Sequence, residues 1–487
     1  MTIELPILIT FVGYLVLTML IGVVAYKATS SLSDYILGGR RLGPGVAALS
    51  VGASDMSGWL LLGLPGAVYL HGINQAWIGI GLVIGAWLNW LFVAKRLRVY
   101  TEQANDSLTL PDFLENRLDD KSGLIRVISA LTILVFFVFY TSSGLVGGAI
   151  LFEKVFGLSY LTALFVGGAV IVSYTFMGGF LAVSWTDFFQ GILMLLALVI
   201  MPWAVMNELG GMEQTMATLD GMGEHKLDLF HEFSLLSGLS LMAWGLGYFG
   251  QPHILARFMA IDSPRSVPLS RRIAMSWMIL SLLGALGVGL AGAVYFSGAP
   301  LENPETVFLA LANAVFNPWV AGFLIAAIMS AIMSTIDSQL LVCSSALTED
   351  FYKRWLRPQA SDYELVWVGR LAVLAVAILA LVIAMDPQTT VLGLVSYAWA
   401  GFGAAFGPVI ILSVFWPRLT RNGALAGIIL GALTVIGWKQ LEGGLFDLYE
   451  IVPGFVVCAL ACILVSRADK EPSKAVVLSF RRMESDL

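Results

Sequence analysis

The sequence has very little charge for its length. Only 12% of its 487 residues are Asp, Glu, Lys or Arg, whereas 58% are hydrophobic, and the mean hydropathy is +0.85. A soluble domain of this size does not tolerate such a composition on its surface, so we expect an integral membrane protein. Between Arg41 and Lys95 the only such charged residue is Asp55. A charge deep in an apolar segment is costly and usually functional.

Cysteine is scarce as well. Cys343, Cys458 and Cys462 all lie inside apolar segments, which argues against a disulfide framework. Cys458 and Cys462 share a helix face and could bind a metal, but no His or carboxylate lies nearby in sequence, so we favour small apolar packing residues. The first apolar segment lacks a preceding basic residue and a small-residue cleavage site, and therefore is expected to be a retained span.

A concentrated basic surface is also missing. The net charge is −6, and the basic residues are spread over many short loops, so nucleic acid is not an expected partner. The segments outside the apolar runs are too short to fold as separate domains. They are residues 99–124, with a short helix expected near 109–114, the acidic loop 207–233, a helix expected at 304–316, and the tail after residue 467.

Long apolar segments make up most of the chain. Allowing for uncertain ends, thirteen of them can each cross about 30 Å of hydrocarbon at a rise of 1.5 Å per residue. The predicted spans are residues 6–26, 43–70, 74–94, 125–151, 160–177, 188–206, 234–256, 273–296, 318–347, 364–385, 389–415, 423–437 and 449–466.

The basic residues orient these spans. If the loop from residue 27 to 41 is cytoplasmic, all Lys and Arg residues except Lys154, Lys226 and Lys439 also lie on the cytoplasmic side. We therefore expect an external N-terminus and a cytoplasmic C-terminus, because an odd number of crossings separates them.

Two spans contain helix-breaking residues. Residues 52–59, GASDMSGW, carry small and hydroxyl side chains that let a membrane helix open its backbone. The seventh span contains Gly245, Gly247, Gly250 and Pro252, which either unwind the helix or, in the case of the glycines, permit close packing. Broken helices five spans apart predict an inverted five-plus-five repeat with a site at the middle of the membrane.

A third segment offers oxygen ligands. Between residues 306 and 348 the only charged residue is Asp337. Just before it, Ala331, Ser334 and Thr335 share one helix face. Their oxygens, facing carbonyls of the opened second span, give about five hard ligands suited to an alkali cation. Alternatively, the two hydroxyls bond back to carbonyls one turn earlier. The predicted ligands are the carbonyls of Ala53, Met56 and Ala331 and the hydroxyls of Ser334 and Thr335.

Four motifs together resemble the sodium/solute symporter family. They are residues 53–59 (ASDMSGW), 178–187 (GGFLAVSWTD), 244–252 (WGLGYFGQP) and 333–335 (MST). The resemblance extends from the first span to about residue 470. It implies an all-α polytopic membrane protein with thirteen transmembrane helices and a leucine-transporter core in spans two to eleven, located in a bacterial cytoplasmic membrane. It also implies sodium as the coupling ion at the ligands above, and no organic cofactor.

The resemblance further implies L-proline as the substrate. The small pyrrolidine ring suits an aromatic box. Its carboxylate is expected to meet free amides after the break in the second span, where the helix dipole is positive. Its ammonium is expected to meet carbonyls and hydroxyls of the unwound seventh span. The family residues that contact proline match Ser57, Gly58, Trp59, Tyr140, Trp244 and Tyr248, with Pro252 nearby.

Four charged residues are expected along the ion path. In the family, Asp55 is essential to sodium use, and Arg40 and Asp187 affect coupling. Arg40 can also be a cytoplasmic anchor, and Asp187 also fits a capping box with Ser184 as the N-cap residue. Asp337 departs from the family pattern. We interpret it as a release-path or secondary cation residue, the alternative being a second obligatory ion or proton.

These patterns predict sodium-coupled uptake of L-proline by alternating access. Another small carboxylate-bearing solute is the alternative substrate. A solute-sensing receptor is less favoured, because it would need a signalling domain and the tail after residue 467 is too short for one. An enzyme would need a nucleophile–base pair or a metal cluster, which the spans lack. The expected organisation is residues 1–41 as first span and loop, 42–416 as transport core with repeats at 42–206 and 234–416, 417–466 as two further spans, and 467–487 as a cytoplasmic tail.

Overall fold

A computed structural model describes residues 4–27, 31–177, 179–223, 225–231, 233–386 and 389–487. Regular structure in these ranges is helical. The α-helices are α1 Leu5–Lys27, α2 Leu32–Leu37, α3 Pro44–Met56, α4 Gly63–His71, α5 Ala76–Leu88, α6 Ala94–Gln103, α7 Leu110–Arg117, α8 Leu124–Phe156, α9 Tyr160–Met177, α10 Phe180–Glu208, α11 Met212–Gly221, α12 Leu235–Met242, α13 Pro252–Ala260, α14 Val267–Tyr295, α15 Val307–Val315, α16 Pro318–Ser345, α17 Asp362–Ala384, α18 Val391–Phe415, α19 Arg421–Trp438, α20 Ile451–Ala468 and α21 Lys474–Ser485.

The chain is a multi-pass membrane protein. Among the described residues, ten helical segments are long and apolar enough to cross a membrane, and the bent pair α3 and α4 makes an eleventh. Two shorter apolar stretches, Tyr160–Ser173 and Leu235–Gly250, lie where the fifth and seventh spans were predicted. The all-α polytopic class is confirmed, whereas the count of thirteen spans stays a prediction.

The second span is broken at Ser57. Helix α3 ends at Met56, and Ser57 has φ 48° and ψ −171°, which no helix accommodates. A short 3-10 turn, Gly58–Leu60, follows, and α4 continues with its axis bent by 69°. The break therefore lies inside the predicted segment, and it leaves the last carbonyls of α3 without intrahelical amides.

The seventh span is broken by a 3-10 helix over residues 243–250, between α12 and α13. The glycines there also allow contact between backbones. A Cβ on Gly245 would lie 2.2 Å from the carbonyl oxygen of Gly81, and one on Gly250 would lie 2.1 Å from that of Phe402. Both roles considered for these glycines, unwinding and close packing, are thus present.

The start of α3 and the end of α13, which belong to the two broken spans, are joined. The amide of Leu42 donates to the carbonyl of Ala260 over 3.1 Å, and the amide of Asp262 donates to the carbonyl of Leu42 over 2.9 Å. This makes an isolated parallel bridge between Leu42 and Ile261. The two broken spans therefore share a backbone contact where α3 begins and α13 ends.

Helices α16 and α18 form the interior. In the most apolar stretch of each helix, 83% of the residues are buried, compared with 17% in α1. Helix α16 packs against α1, α3, α8 and α10, and α18 packs against α8, α19, α20 and the 3-10 segment of the seventh span. The site described next lies where α3, α8, α16 and that segment meet.

Candidate functional site

Four of the five predicted cation ligands are brought together by α3 and α16. The hydroxyl of Ser334 donates to the carbonyl of Ala53 over 2.8 Å and to that of Ala331 over 3.1 Å. The hydroxyl of Thr335 lies 3.4 Å from the carbonyl of Ala53. All four residues are buried. The Ser334 hydroxyl thus bonds back to a carbonyl one turn earlier in α16, which was the alternative to cation binding. It also bonds to α3, the first half of the broken span.

The fifth predicted ligand, the carbonyl of Met56, lies at the carbonyl end of α3. Because α3 stops at Met56, the carbonyls of residues 53–56 lie at a helix C-terminus, where partial negative charge collects. In a continuous helix the Leu60 amide would donate to the carbonyl of Met56. Here it donates to the carbonyl of Ser57 instead, over 3.3 Å. Carbonyl and hydroxyl oxygens at a negative helix end form a suitable environment for a small hard cation.

Four predicted aromatic residues line one cavity: Trp59, Tyr140, Trp244 and Tyr248. The rings of Trp59 and Trp244 stack with centroids 5.7 Å apart and planes at 26°. The cavity that remains measures about 10 Å³, which is no more than one water needs. A solute can enter only if these rings separate.

Trp399 in α18 also lines this cavity, and the sequence did not single it out. Its indole nitrogen donates to the carbonyl of Trp244 over 2.7 Å, and its ring meets Tyr248 edge-on with centroids 5.1 Å apart. The residue lies just before the glycines of residues 401–403, a pattern that close helix packing also produces. Sequence alone could not separate the two roles.

Asp55 lies between the cation ligands and the aromatic cavity. Its carboxylate accepts a hydrogen bond from the hydroxyl of Tyr248, and its backbone carbonyl accepts one from Tyr140 over 3.1 Å. The residue is only 6% exposed. Asp55 therefore connects the break in the second span to α8 and to the 3-10 segment of the seventh span.

Two predicted substrate residues lie elsewhere. Pro252 begins α13 and lines a separate cavity beside Arg257, and Gly58 faces Ile332. The expected free amides after the break are partly occupied, because the amide of Trp59 donates to the side chain of Ser57 over 3.1 Å. A carboxylate binding there would have to displace the Ser57 hydroxyl.

Asp187 forms a buried ion pair that the sequence did not indicate. A carboxylate oxygen accepts from Arg257 over 3.0 Å and from the Ser50 hydroxyl over 2.7 Å. Arg257 also donates to Ser50, to Ser338 and to the carbonyl of His253. This network joins α3, α10, α13 and α16 one turn of α16 beyond the cation ligands.

The capping-box interpretation of Asp187 is wrong. Helix α10 begins at Phe180 with Gly179 as its N-cap, so Ser184 lies in the second turn, and its hydroxyl has no hydrogen-bond partner in the described part of the chain. Gly178, which belongs to the same motif, lies outside the described residues. The predicted sixth span, residues 188–206, is correspondingly too short at its start.

Asp337 is fully buried next to Thr175. The Thr175 hydroxyl donates to one carboxylate oxygen of Asp337, and the other oxygen has no partner among the residues that the structure describes. Asp337 lies one turn beyond Ser334 in α16 and precedes Ser338, which belongs to the Arg257 network. An unpartnered buried carboxylate oxygen is costly, and a bound cation or proton would remove that cost.

Arg40 fastens the segment before α3 to α6 and to the end of α13. Its guanidinium donates to the carboxylate of Asp106, the hydroxyl of Thr101 and the carbonyls of Met259 and Ser107. Burial lowers the pKa of Arg40 from its ordinary value, and the hydrogen bond and charge of Asp106 oppose that shift. The anchoring role considered for Arg40 agrees with these contacts, which hold α6 to the end of α13.

The two ends of the molecule differ. On the side of the acidic loop, a cavity of about 580 Å³ lies above Trp59, with Gly63, His231 and Glu305 in its walls. Glu305 accepts hydrogen bonds from the amides of Val391 and Leu392, and burial raises its pKa.

At the opposite end, a cluster of ion pairs surrounds Arg126. Its guanidinium pairs with Asp350 at 2.6 Å, Glu115 at 2.8 Å and Asp112 at 3.2 Å. Burial raises the pKa of Asp112, and the charge of Arg126 opposes that shift. The cluster joins α7 and α8 to the π-helical end of α16, residues 346–356. The molecule is thus open to one side of the membrane only as far as the stacked tryptophans.

Comparison with known proteins places this geometry in context. Residues 35–431 match the model of the sodium:solute symporter family. The chain is 55% identical to the sodium/proline symporter of Salmonella typhimurium, over 100% of this chain and 97% of that protein. It is 56% identical to the high-affinity proline transporter PutP of Bacillus subtilis, over 95% of this chain and 98% of that protein.

Solved structures share the fold. A substrate-bound, outward-open Na+-coupled sialic acid symporter superimposes with a TM-score of 0.81 at 20% identity, over 97% of this chain and 99% of that one. A nucleobase-cation-symport-1 transporter, Mhp1, in a closed conformation superimposes with a TM-score of 0.58 at 14% identity, over 94% and 99%. At these identities the likeness concerns the arrangement of helices alone.

Proposed function

Because the chain belongs to the sodium:solute symporter family, we propose that it takes up L-proline together with sodium by alternating access. One observation carries the proposal beyond family membership. The cation ligands and the aromatic cavity share one broken helix, and Asp55 connects them. Occupation of the cation ligands would therefore fix the backbone that also shapes the cavity.

We assign sodium to the carbonyls of Ala53, Met56 and Ala331 and to the hydroxyls of Ser334 and Thr335. The proline ring is assigned to the space between Trp59 and Trp244, with Tyr140 and Tyr248 at its sides. The buried position of the cavity and its apolar walls support this assignment. One charge moving down 100 mV supplies about 2.3 kcal/mol, enough for more than tenfold accumulation before the sodium gradient is added.

The direction of transport follows from the orientation. We propose that the 580 Å³ cavity is external and that the Arg126 cluster closes the cytoplasmic side, with the N-terminus outside and the C-terminus inside. The distribution of basic residues supports this arrangement. We also retain residues 42–416 as the transport core, because both broken spans and all assigned ligands lie within it.

Uptake into proteoliposomes tests this function. Purified protein is reconstituted, and radiolabelled L-proline is added with an inward sodium gradient or an equal potassium gradient. We expect accumulation with sodium only, because hydroxyl and carbonyl ligands close around a small cation. Equal uptake with potassium, or accumulation of other small carboxylates but not proline, would contradict the proposal.

Replacing Ser334 by Ala is expected to raise the sodium concentration for half-maximal uptake. The change removes one ligand oxygen and the hydrogen bond to Ala53 that joins α16 to α3. Loss of a group that supports a metal site typically weakens metal binding about 10- to 100-fold, so we expect a rise of roughly that size. Uptake measured as a function of sodium at fixed proline checks this.

Asp337→Ser is the comparison in the same helix. We propose that Asp337 is a release-path or secondary cation residue, so transport is retained with altered sodium dependence. The ratio of sodium to proline flux distinguishes the alternative. A ratio near two that falls to one in Asp337→Ser would mean that Asp337 holds a second obligatory ion.

Trp244→Ala is expected to weaken proline binding by about 1–3 kcal/mol, the range for losing buried apolar contact. The indole stacks on Trp59 and also on Tyr449, at a centroid distance of 5.5 Å, so its removal opens one wall of the cavity. Sodium binding without proline is expected to persist, because Trp244 is not one of the proposed cation ligands. Proline binding equal to that of the unmodified protein would place the pocket elsewhere.

A further inference from the structure

A cluster of metal-binding side chains lies outside the transport site, in the loop between α11 and α12. His225, Asp228 and His231 each offer one ligand atom, and the three atoms lie within 4.8 Å of one another. The two imidazole rings are nearly parallel, with centroids 4.6 Å apart and planes at 10°. One Asp228 oxygen accepts from the Phe230 amide, which holds the carboxylate in the middle of the loop.

The loop is fastened to the outer ends of α4 and α5. The amide of Ile73 donates to the carbonyl of Lys226 over 2.8 Å, and the Lys226 ammonium donates to the carbonyl of Leu70 over 2.6 Å. The indole of Trp77 donates to the carbonyl of Leu229 over 3.0 Å. These bonds hold the backbone that carries the three ligands, so little ordering remains for a metal to impose.

The ligand set indicates the metal. Two imidazoles and one carboxylate suit Zn²⁺, which binds such groups at about 2.0–2.2 Å and leaves a fourth position for water in three-ligand sites. Tetrahedral ligands at that bond length are about 3.4 Å apart, so side-chain rotations of an ångström or so complete the site. We propose that His225, Asp228 and His231 form a zinc-binding site beside the outer cavity.

The position of the site predicts an effect on transport. His231 lies in the wall of the 580 Å³ cavity, and its segment leads directly into α12, the outer half of the seventh span. Zinc would join this segment to the part of the loop fixed on α4, the outer half of the second span. Both outer half-helices must move in alternating access, so bound zinc slows uptake. This effect, unlike zinc binding itself, rests on the proposed function.

Zinc binding is tested directly on the full chain purified in detergent without a polyhistidine tag. Calorimetric titration with zinc chloride is expected to show one site per chain. His225→Ala and His231→Ala are each expected to weaken binding by at least roughly tenfold. His71→Ala is the matched control, because His71 is exposed in the same cavity wall but is not part of the cluster, and it should bind as the unmodified protein does. No stoichiometric binding, or equal affinity in His225→Ala and the unmodified protein, would overturn the site.

The effect on uptake is tested in intact cells with external zinc. Proline uptake is expected to fall severalfold, to recover when a chelator is added, and to be insensitive to zinc in the double variant His225→Ala, His231→Ala. Zinc binding in detergent with unchanged uptake would keep the site and overturn its effect on transport. Zinc binding in a protein that takes up no proline under any condition would count against the proposed function instead.

Discussion

Replacing Asp55 by Asn is expected to reduce sodium-driven proline uptake to near background while the protein still inserts. Asn has the same shape and keeps an oxygen that can accept from Tyr248, so the break in the second span should persist. What is lost is a negative charge beside the carbonyl end of α3. A unit charge contributes about 2 kcal/mol at 8 Å in an effective dielectric of 20, which corresponds to roughly 30-fold weaker sodium binding.

Sodium titration of proline uptake, together with the amount of protein in the membrane, checks this result. Tyr248→Phe is the matched control, because it removes the hydrogen bond to Asp55 and keeps the charge. It should lower uptake much less and keep the sodium dependence. Normal sodium half-saturation in Asp55→Asn would show that the carboxylate acts only as a partner of Tyr248.

The broken helices were predictable because their causes are local. Residues 52–59 combine small and hydroxyl side chains, and the seventh span combines three glycines with Pro252. The helix break is therefore visible in the local sequence, without knowledge of the tertiary contacts. The pairing of α3 with Ser334 and Thr335 was predictable for the same reason. An i, i+3, i+4 pattern of oxygens in an otherwise apolar helix has few uses other than binding or back-bonding.

Arg257 could not be predicted in the same way. It lies near the predicted end of the seventh span, where a basic residue usually extends to the membrane surface. Its actual partner, Asp187, is 70 residues away in sequence. The spacing of Ser184 and Asp187 predicted a capping box, but the same spacing also places two side chains on one face inside a helix. Sequence alone therefore could not tell a helix start from a helix interior here. The spacing His-x2-Asp-x2-His is present in the sequence but is too short a pattern to predict a metal site by itself. Only the fold shows that the three side chains lie close together.

The fold thus adds partners to residues that the sequence had already marked. Asp55 gains Tyr140 and Tyr248, Asp337 gains Thr175, and the aromatic box gains Trp399. Each added partner comes from a different helix, and none is close in sequence to the residue that it contacts. Local patterns therefore predict where the backbone opens, and the packing of α8, α9 and α18 decides which side chains meet there.

Arg257→Ala is expected to cause the largest loss of stability. Arg257 and Asp187 are 1% and 0% exposed, and the guanidinium also bonds Ser50 and Ser338. Removing it leaves the Asp187 charge buried without its partner, which costs about 3–5 kcal/mol. A lower apparent melting temperature in detergent and loss of uptake are the expected results. Arg41→Ala is the control, because Arg41 is 61% exposed in its pair with Asp34, and such pairs contribute about 0–1 kcal/mol.

A double variant, Asp187→Asn with Arg257→Ala, separates charge from hydrogen bonding. If the unpaired Asp187 charge causes the loss, removing it as well should recover much of the melting temperature, because no buried charge then remains at this position. Recovered stability without recovered uptake would indicate that the pair also serves transport. If the double variant is as unstable as Arg257→Ala alone, the stabilising contribution comes from the bonds that Arg257 makes to Ser50, Ser338 and the His253 carbonyl, and the ion-pair account is wrong.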